Sequence, residues 1–431
     1  MLFLYLLIAL TAVAAAIFAT PLRRKVWTAL ALTAAGALWC SARAVGVLAG
    51  ADSGPVWSVP GTLFGGDTGS MDGLSALFVV IISVGAVAAV LYSRGYLAHC
   101  LAEKSPAHIS LHYTALVVLF YAMLGVVLSD GGYSFLFFWE LMTVASFLLI
   151  LFDAERREVR RAALSYLIMM HIGFVLLVVG FVRLEAFTGS AAFGALAEYF
   201  RTQPALPLFA VFLAGFGMKA GLFPMHVWLP KAHPVAPAPA SALLSGILTK
   251  SGIFGVIVVS ANIFRASTAW GNLILVLGLI TMLGGAVLAV FSVNLKRTLA
   301  CSSMSQIGFI LTGIAMGCLL GEENALAARG ALLYMVNHSL FKLILFMAAG
   351  VVYMNLHKLN LNDVRGFGRK KPILHFAFLM GAVGLMGVPG FSGYVSKTLI
   401  HEGIVEYAEL LAEEGMGALA LLYRGAEWIY L

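Results

Sequence analysis

Four lysines stand inside otherwise apolar runs: Lys219 in GFGMKAGLFP, Lys250 in SGILTKSGIFG, Lys342 in NHSLFKLILF and Lys397 in FSGYVSKTLI. One carboxylate, Glu140 in FLFFWELMTVASF, stands in a similar run. His338 precedes Lys342 by four residues, so on a helix both face one side. A charge at bilayer depth costs roughly 2.5–3.5 kcal/mol by insertion experiments. A lysine near a helix end can reach the headgroups, which would account for Lys342 or Lys397. It does not account for Lys219, Lys250 or Glu140, which sit well inside their runs. Two roles remain there, a structural ion pair between helices or a proton relay. Lysine can carry and release a proton when buried and arginine cannot, and no arginine occupies any of these mid-helix positions. A carboxylate about 6 Å from an ammonium, at an effective dielectric near 20, attracts it by roughly 3 kcal/mol. Moving one partner of a Glu140–Lys219 pair would therefore load or unload a proton. His171 and His226, in or near the same runs, and His233 are secondary relay candidates or packing histidines.

Composition dictates what holds these groups. The chain is 61% hydrophobic and 11% charged, against about 25% charged in soluble domains. Runs of about 20 apolar residues recur throughout, each able to cross about 30 Å of hydrocarbon. Without water to bond the backbone these runs are helices. A barrel would need alternating segments of about 10 residues, and none is present. The opening run MLFLYLLIALTAVAAAIFAT lacks a basic leader and is too long for a signal-peptide core, so it reads as a first membrane helix. Spans are predicted at 1–20, 26–49, 74–93, 113–129, 133–152, 162–183, 207–228, 240–261, 270–292, 302–320, 328–354 and 374–400, with a partial thirteenth at 415–431. The fold class is all-α, a polytopic membrane bundle of 12 to 13 helices.

Charge orients the bundle. Seventeen of the 27 Lys and Arg residues fall on odd-numbered connections, among them Arg23, Arg24, Lys25, Lys104, Arg160, Lys231, Lys296 and Lys371. The even-numbered connections carry Arg43, Arg183, Arg201, Arg265 and Arg329. Cytoplasmic loops collect basic residues, so the odd connections are expected in the cytoplasm and the N-terminus outside. The net charge of +7 is thus a topology signal, not a nucleic-acid footprint.

Pro224 interrupts the seventh span, and Pro389 interrupts the twelfth amid Gly387, Gly390 and Gly393. Broken membrane helices are tolerated where the freed carbonyls line a cavity, and ion-coupled transporters place two of them in corresponding positions of inverted repeats. Five spans separate the two breaks, an odd number that requires inversion. The expected organisation is a three-helix segment over 1–110, a first repeat over 111–262 (spans 4–8) and a second over 263–431 (spans 9–13). The stretch LPKAHPVAPAPAS (229–241) reads as a proline-rich linker, where Lys231 and His233 either admit protons or are simply solvated. Cys40, Cys100, Cys301 and Cys318 form no CxxC pair and, although His99 adjoins Cys100, none has a plausible histidine partner at ligand spacing, so no metal or redox cofactor is expected. No GxGxxG or phosphate-binding loop opens a βα unit, so nucleotide binding is not expected either.

The segments FFWELM, GFGMKAGLFPMHVWLPKAHPVAPAPASALLSGILTKSG, NLKRTLACSSMSQIGFIL, VNHSLFKLILFMAAGVVY and VPGFSGYVSK resemble the antiporter-like, proton-translocating membrane subunits. That family serves NADH:quinone oxidoreductase (complex I), group 4 membrane-bound hydrogenases including formate hydrogenlyase, and multisubunit Na+/H+ antiporters. The resemblance covers about residues 70–400. It implies that Glu140 and Lys219 match the family's helix-5 and helix-7 pair, and Lys250 its central helix-8 group. His338 and Lys342 match the helix-11 cluster, and Lys397 the terminal helix-12 group. The stretch ELMTVASFLLILFDAERREVRRAALSYLIMMHIGF looks closest to the hydrogenase-associated branch. The implied function is proton translocation in a prokaryotic cell membrane, with other membrane subunits and peripheral redox subunits as partners and no redox centre in this chain. The alternatives are a subunit of a Na+/H+ antiporter and a non-transporting anchor. The family core has fourteen helices, and the thirteenth falls at the end of this sequence.

Overall fold

A computed structural model describes residues 2–52, 54–62, 65–262, 268–321 and 325–431. Met1 of the first span and Arg265 of an even-numbered connection lie outside the described residues. The chain runs α1 (Leu2–Ala19), α2 (Lys25–Leu48), β1 (Trp57–Thr62), β2 (Gly65–Gly69), α3 (Gly73–Leu97), α4 (Pro106–Leu128), α5 (Gly132–Ile150) and α6 (Arg157–Thr188). It continues through α7 (Leu196–Thr202), α8 (Ala205–Ala220), α9 (Leu229–Val235), α10 (Ala238–Leu243), α11 (Thr249–Ala261) and α12 (Thr268–Val290). The last elements are α13 (Leu295–Leu320), α14 (Leu326–Leu356), α15 (Pro372–Met386), α16 (Ser392–Glu413) and α17 (Gly417–Tyr430). Among the described residues nine helices are long and apolar enough to cross a membrane, and three shorter apolar helices include α8 and α15.

Local chemistry sets several boundaries. The Asp72 carboxylate accepts from Ser75 N at 2.7 Å and caps α3, Ser105 with Pro106 behind it opens α4, and Asn294 caps α13. Because of such caps, α4 begins before the predicted 113 and α13 before the predicted 302. The strands β1 and β2 were not predicted; they pair antiparallel with Trp57 opposite Gly69.

The seventh and twelfth spans are broken, as expected, but glycine rather than proline stops each helix. α8 ends on Gly221 at φ 80°, ψ 40°, and α15 ends on Gly387 at φ 81°, ψ 41°. The caps match in detail. The amides of Gly221 and Leu222 both donate to the Gly217 carbonyl, and those of Gly387 and Val388 both donate to the Val383 carbonyl. This left-handed cap favours a residue without a Cβ. Pro224 and Pro389 lie beyond the stops, where a residue with no N–H leaves no donor unsatisfied.

Three further differences follow. The stretch read as a linker is helical, forming α9 and the start of α10, with Pro230 and Pro239 in first turns where no N–H is needed. The eighth span is α10 and α11 joined by a π-helical turn at Leu244–Leu248. The twelfth extends past 400, to Glu413 at the end of α16.

The connections sort by parity. Between α3 and α4, Lys104 lies 3.0 Å from both Asp153 and Glu155, which lie between α5 and α6. Likewise Asn294, before α13, pairs with Asn360, after α14. At the other end Asp130 accepts from Thr68 and Ser70, and its carbonyl takes the Phe193 amide. A miscounted span would have separated these partners. Where helices approach closely, glycine lets them: a Cβ on Gly285 or Gly308 would strike the α13 or α12 backbone. Outward faces carry exposed apolar side chains such as Ile168, Val175, Val276 and Val287.

Candidate functional site: intramembrane amines and imidazoles

Lys219 occupies the last turn of α8, just before the Gly221 stop. Its Nζ donates to Thr143 Oγ1 at 2.6 Å and lies 5.0 Å over the Trp139 ring. Thr143 and Glu140 are three residues apart on α5, so a hydroxyl takes the direct contact expected of the carboxylate. Glu140 and Lys219 remain within electrostatic reach. Glu140 turns instead toward α6, where its Oε1 lies 3.1 Å from His171 Nε2. His171 Nδ1 faces the Leu167 carbonyl at 3.1 Å, which needs a proton on Nδ1. Nε2 and the carboxylate then both lack a donor, and a proton shared between them satisfies the pair. His171 is about half exposed, on the flank of the bundle.

A second group fills the middle. The π turn leaves the Ser245 carbonyl free to accept Lys250 Nζ at 2.6 Å, and Thr249 Oγ1 donates to the same oxygen. Ser245 and Ser303 share a hydroxyl contact of 2.5 Å. Lys342 Nζ donates to Ser302 Oγ at 2.5 Å and the Leu299 carbonyl at 2.9 Å, both on α13. His233 and His338 are fully buried, and no ring nitrogen of either has a hydrogen-bond partner among the described residues. His233 stacks 5.0 Å from Phe346, within electrostatic reach of Lys250, Lys296 and Lys342. His338 lies within reach of Lys250, Lys342 and Lys397.

Lys397 sits at the second break, donating to the Leu385 carbonyl at 3.1 Å with Nζ 4.2 Å over the Phe309 ring. Neither Lys342 nor Lys397 reaches out toward headgroups; both amines are bonded inside the bundle. His226 lies in the first break, half-buried and stacked 5.4 Å from Phe223, and is not brought into either group.

Lys296 was read as a loop residue, and it is buried. It stands in the first turn of α13, where Nζ donates to the Ala236 carbonyl at 2.8 Å and lies 5.7 Å over Tyr353. Behind it opens a cavity of about 480 Å³ at the basic end, lined also by Glu103, Lys104, Asp153, Arg156 and Pro237. A signal was available: Asn294, three residues before Arg297, marks a helix start that pulls Lys296 into the first turn. Lys25 is buried as well, but it donates to the Ile17 and Phe18 carbonyls and closes the end of α1. Lys231, the other expected entry residue, is exposed, while His233 beside it is buried.

Interrupted helices with an amine at each stop, Lys219 buried and Lys397 part-buried, are features that polytopic membrane transport folds share. The chain belongs to the family described as NADH:quinone oxidoreductase/Mrp antiporter, transmembrane, whose model matches residues 130–412. It is 31% identical over 367 residues to hydrogenase-4 component B of Escherichia coli, covering 82% of this chain and 53% of that protein. An uncharacterised Mycobacterium tuberculosis protein is 35% identical over 350 residues, covering 78% and 53%. The chain therefore spans about half the length of these curated relatives. Its fold matches a chain in the structure of the Mrp complex from Dietzia sp. DQ12-45-1b with a TM-score of 0.83 at 22% identity, over 99% of this chain and 77% of that one.

Proposed function

We propose that this chain translocates protons as a membrane subunit of a complex I-like or energy-converting hydrogenase complex. The redox chemistry belongs to partner subunits, and other antiporter-like membrane subunits pack beside it. The reading sets the complex in a prokaryotic cell membrane, with the basic end in the cytoplasm and the N-terminus outside. The observation that carries it is the run of buried groups from the Lys296 cavity through His233, Lys250, Lys342 and His338 to the part-buried Lys397. Buried polar groups without a protein partner are ordinarily satisfied by water, and this reading sets water beside the unpartnered His233 and His338 imidazoles, between the amines. Protons enter at the cavity, load Lys296 and pass inward along this run. The Glu140–Lys219 pair, within electrostatic reach of one another, biases the charge of the neighbouring helices. The matching caps at Gly221 and Gly387 support two inverted repeats over 111–262 and 263–431, one break in each.

A Na+/H+ antiporter subunit is the second reading, favoured by the Mrp complex to which the fold is similar. Sodium binds oxygen ligands, whereas neutral amines along the run accept protons and, once protonated, repel sodium. An anchor without transport would have no use for amines at this depth. Membrane vesicles holding the assembled complex, driven through its own redox subunits, separate the readings. A pH-sensitive dye should report proton movement that persists when sodium is removed. Sodium-dependent dye response with matching sodium uptake would assign the antiporter instead, and no ion movement would leave the anchor.

A further inference from the structure

α16 starts at the second break and carries an uncommon set of charges toward the end opposite the basic loops. His401 follows Lys397 by one turn on the same face, about 6 Å further along the axis. His401 Nε2 lies 3.1 Å from Glu427 Oε1 on α17, and its Nδ1 lies 3.9 Å from Glu402 Oε1. Tyr430, also on α17, donates its hydroxyl to the Lys397 carbonyl at 2.9 Å, and its ring stands 6.2 Å from His401. α17 thus spans the step between the amine and the imidazole. Lys397, His401 and Glu427 are all part-buried, the His401 and Glu427 side chains 23% and 26% exposed. Further along α16 come Glu406, Glu409 and Glu413, which with Glu402 fall at i, i+4, i+7 and i+11 on one stripe. The stripe alone assigns nothing. What gives it a role is an imidazole held between two carboxylates, one turn from a part-buried amine.

We propose that His401, clamped by Glu427 and Glu402, takes the proton released by Lys397 and hands it to the glutamate stripe for discharge at the far surface. The inference rests on the proton-translocating reading above. The step involves no electrons: Lys397 gives up one N–H, a ring nitrogen of His401 gains it, and a carboxylate passes it to water. None of these outer groups belongs to the run that loads Lys397, so they can be altered without touching uptake.

The test uses the assembled complex in sealed vesicles, with wild type, His401→Ala and Glu427→Gln compared at equal chain content. His401→Ala should lower proton release by about a hundredfold, the low end for a positioned proton carrier. Imidazole added on the far side alone should recover about tenfold of that loss, since a free base can replace the missing ring. Loss that imidazole does not relieve marks His401 as a strut and overturns the proposal. So does wild-type pumping by His401→Ala, which would leave the proton reading intact. If wild type itself moves no protons, the reading and the proposal fall together. Should His401→Ala not assemble, Glu427→Gln decides, since it keeps the shape and removes the charge; unchanged release in that variant overturns the proposal.

Discussion

Replacing Lys219 by alanine should abolish proton translocation and leave the complex assembled. Assembly survives because little holds the amine in place: one hydrogen bond to Thr143 and the Trp139 ring. Thr143 Oγ1 keeps its own bond to the Trp139 carbonyl at 3.1 Å, so no hydroxyl is stranded. Losing one such bond costs roughly 1 kcal/mol, and removing an ammonium from a buried site offsets part of that. Translocation does not survive, because Glu140 loses the only cation on α8 within its field. Dye-detected pumping by vesicles of matched chain content checks this, and the expected loss is about a hundredfold or more.

Gly393→Ala should have the largest effect on folding. Gly393 begins α16 against the end of α15, and a Cβ there would strike the Gly384 carbonyl oxygen and crowd the Phe341 ring. The Gly384 carbonyl is backbone and cannot rotate away. Overpacking of this kind typically costs 1–3 kcal/mol, and about the top of that range is expected here. The two half-helices would be forced apart, drawing Leu385, whose carbonyl accepts the Lys397 amine, away from α16. Protease resistance of the chain in membranes should fall, and heat should release it from the complex at lower temperature. An alanine variant as resistant as wild type would mean that the break is looser than its packing indicates.

The spans were legible because a bilayer permits only one backbone solution, and each run of apolar residues had to be helical. Lys219 and Lys250 were legible for the same reason, as charges with no short path to water. The exact stops were not. Pro224 and Pro389 attract attention, but the left-handed caps fall on Gly221 and Gly387, and many of the 45 glycines look alike in sequence. Thr143 could not be singled out, since hydroxyls in membrane helices commonly bond their own backbone, as Ser146 does. Lys296 was hidden by a boundary set seven residues too late, although its Asn294 cap was readable. The outer half of α16 was cut off at residue 400 because Glu402, Glu406 and Glu409 lower its hydropathy. Those residues lie on a helix that continues through them.

The claim that buried amines carry protons is tested at Lys250, the lysine bonded to the carbonyl that the π turn sets free. Methionine has nearly the same length and no proton to give. In sealed vesicles with equal amounts of assembled complex, Lys250→Met should reduce the dye-detected proton flux about a hundredfold while the redox subunits remain bound. Flux at the wild-type rate from that variant would contradict the relay.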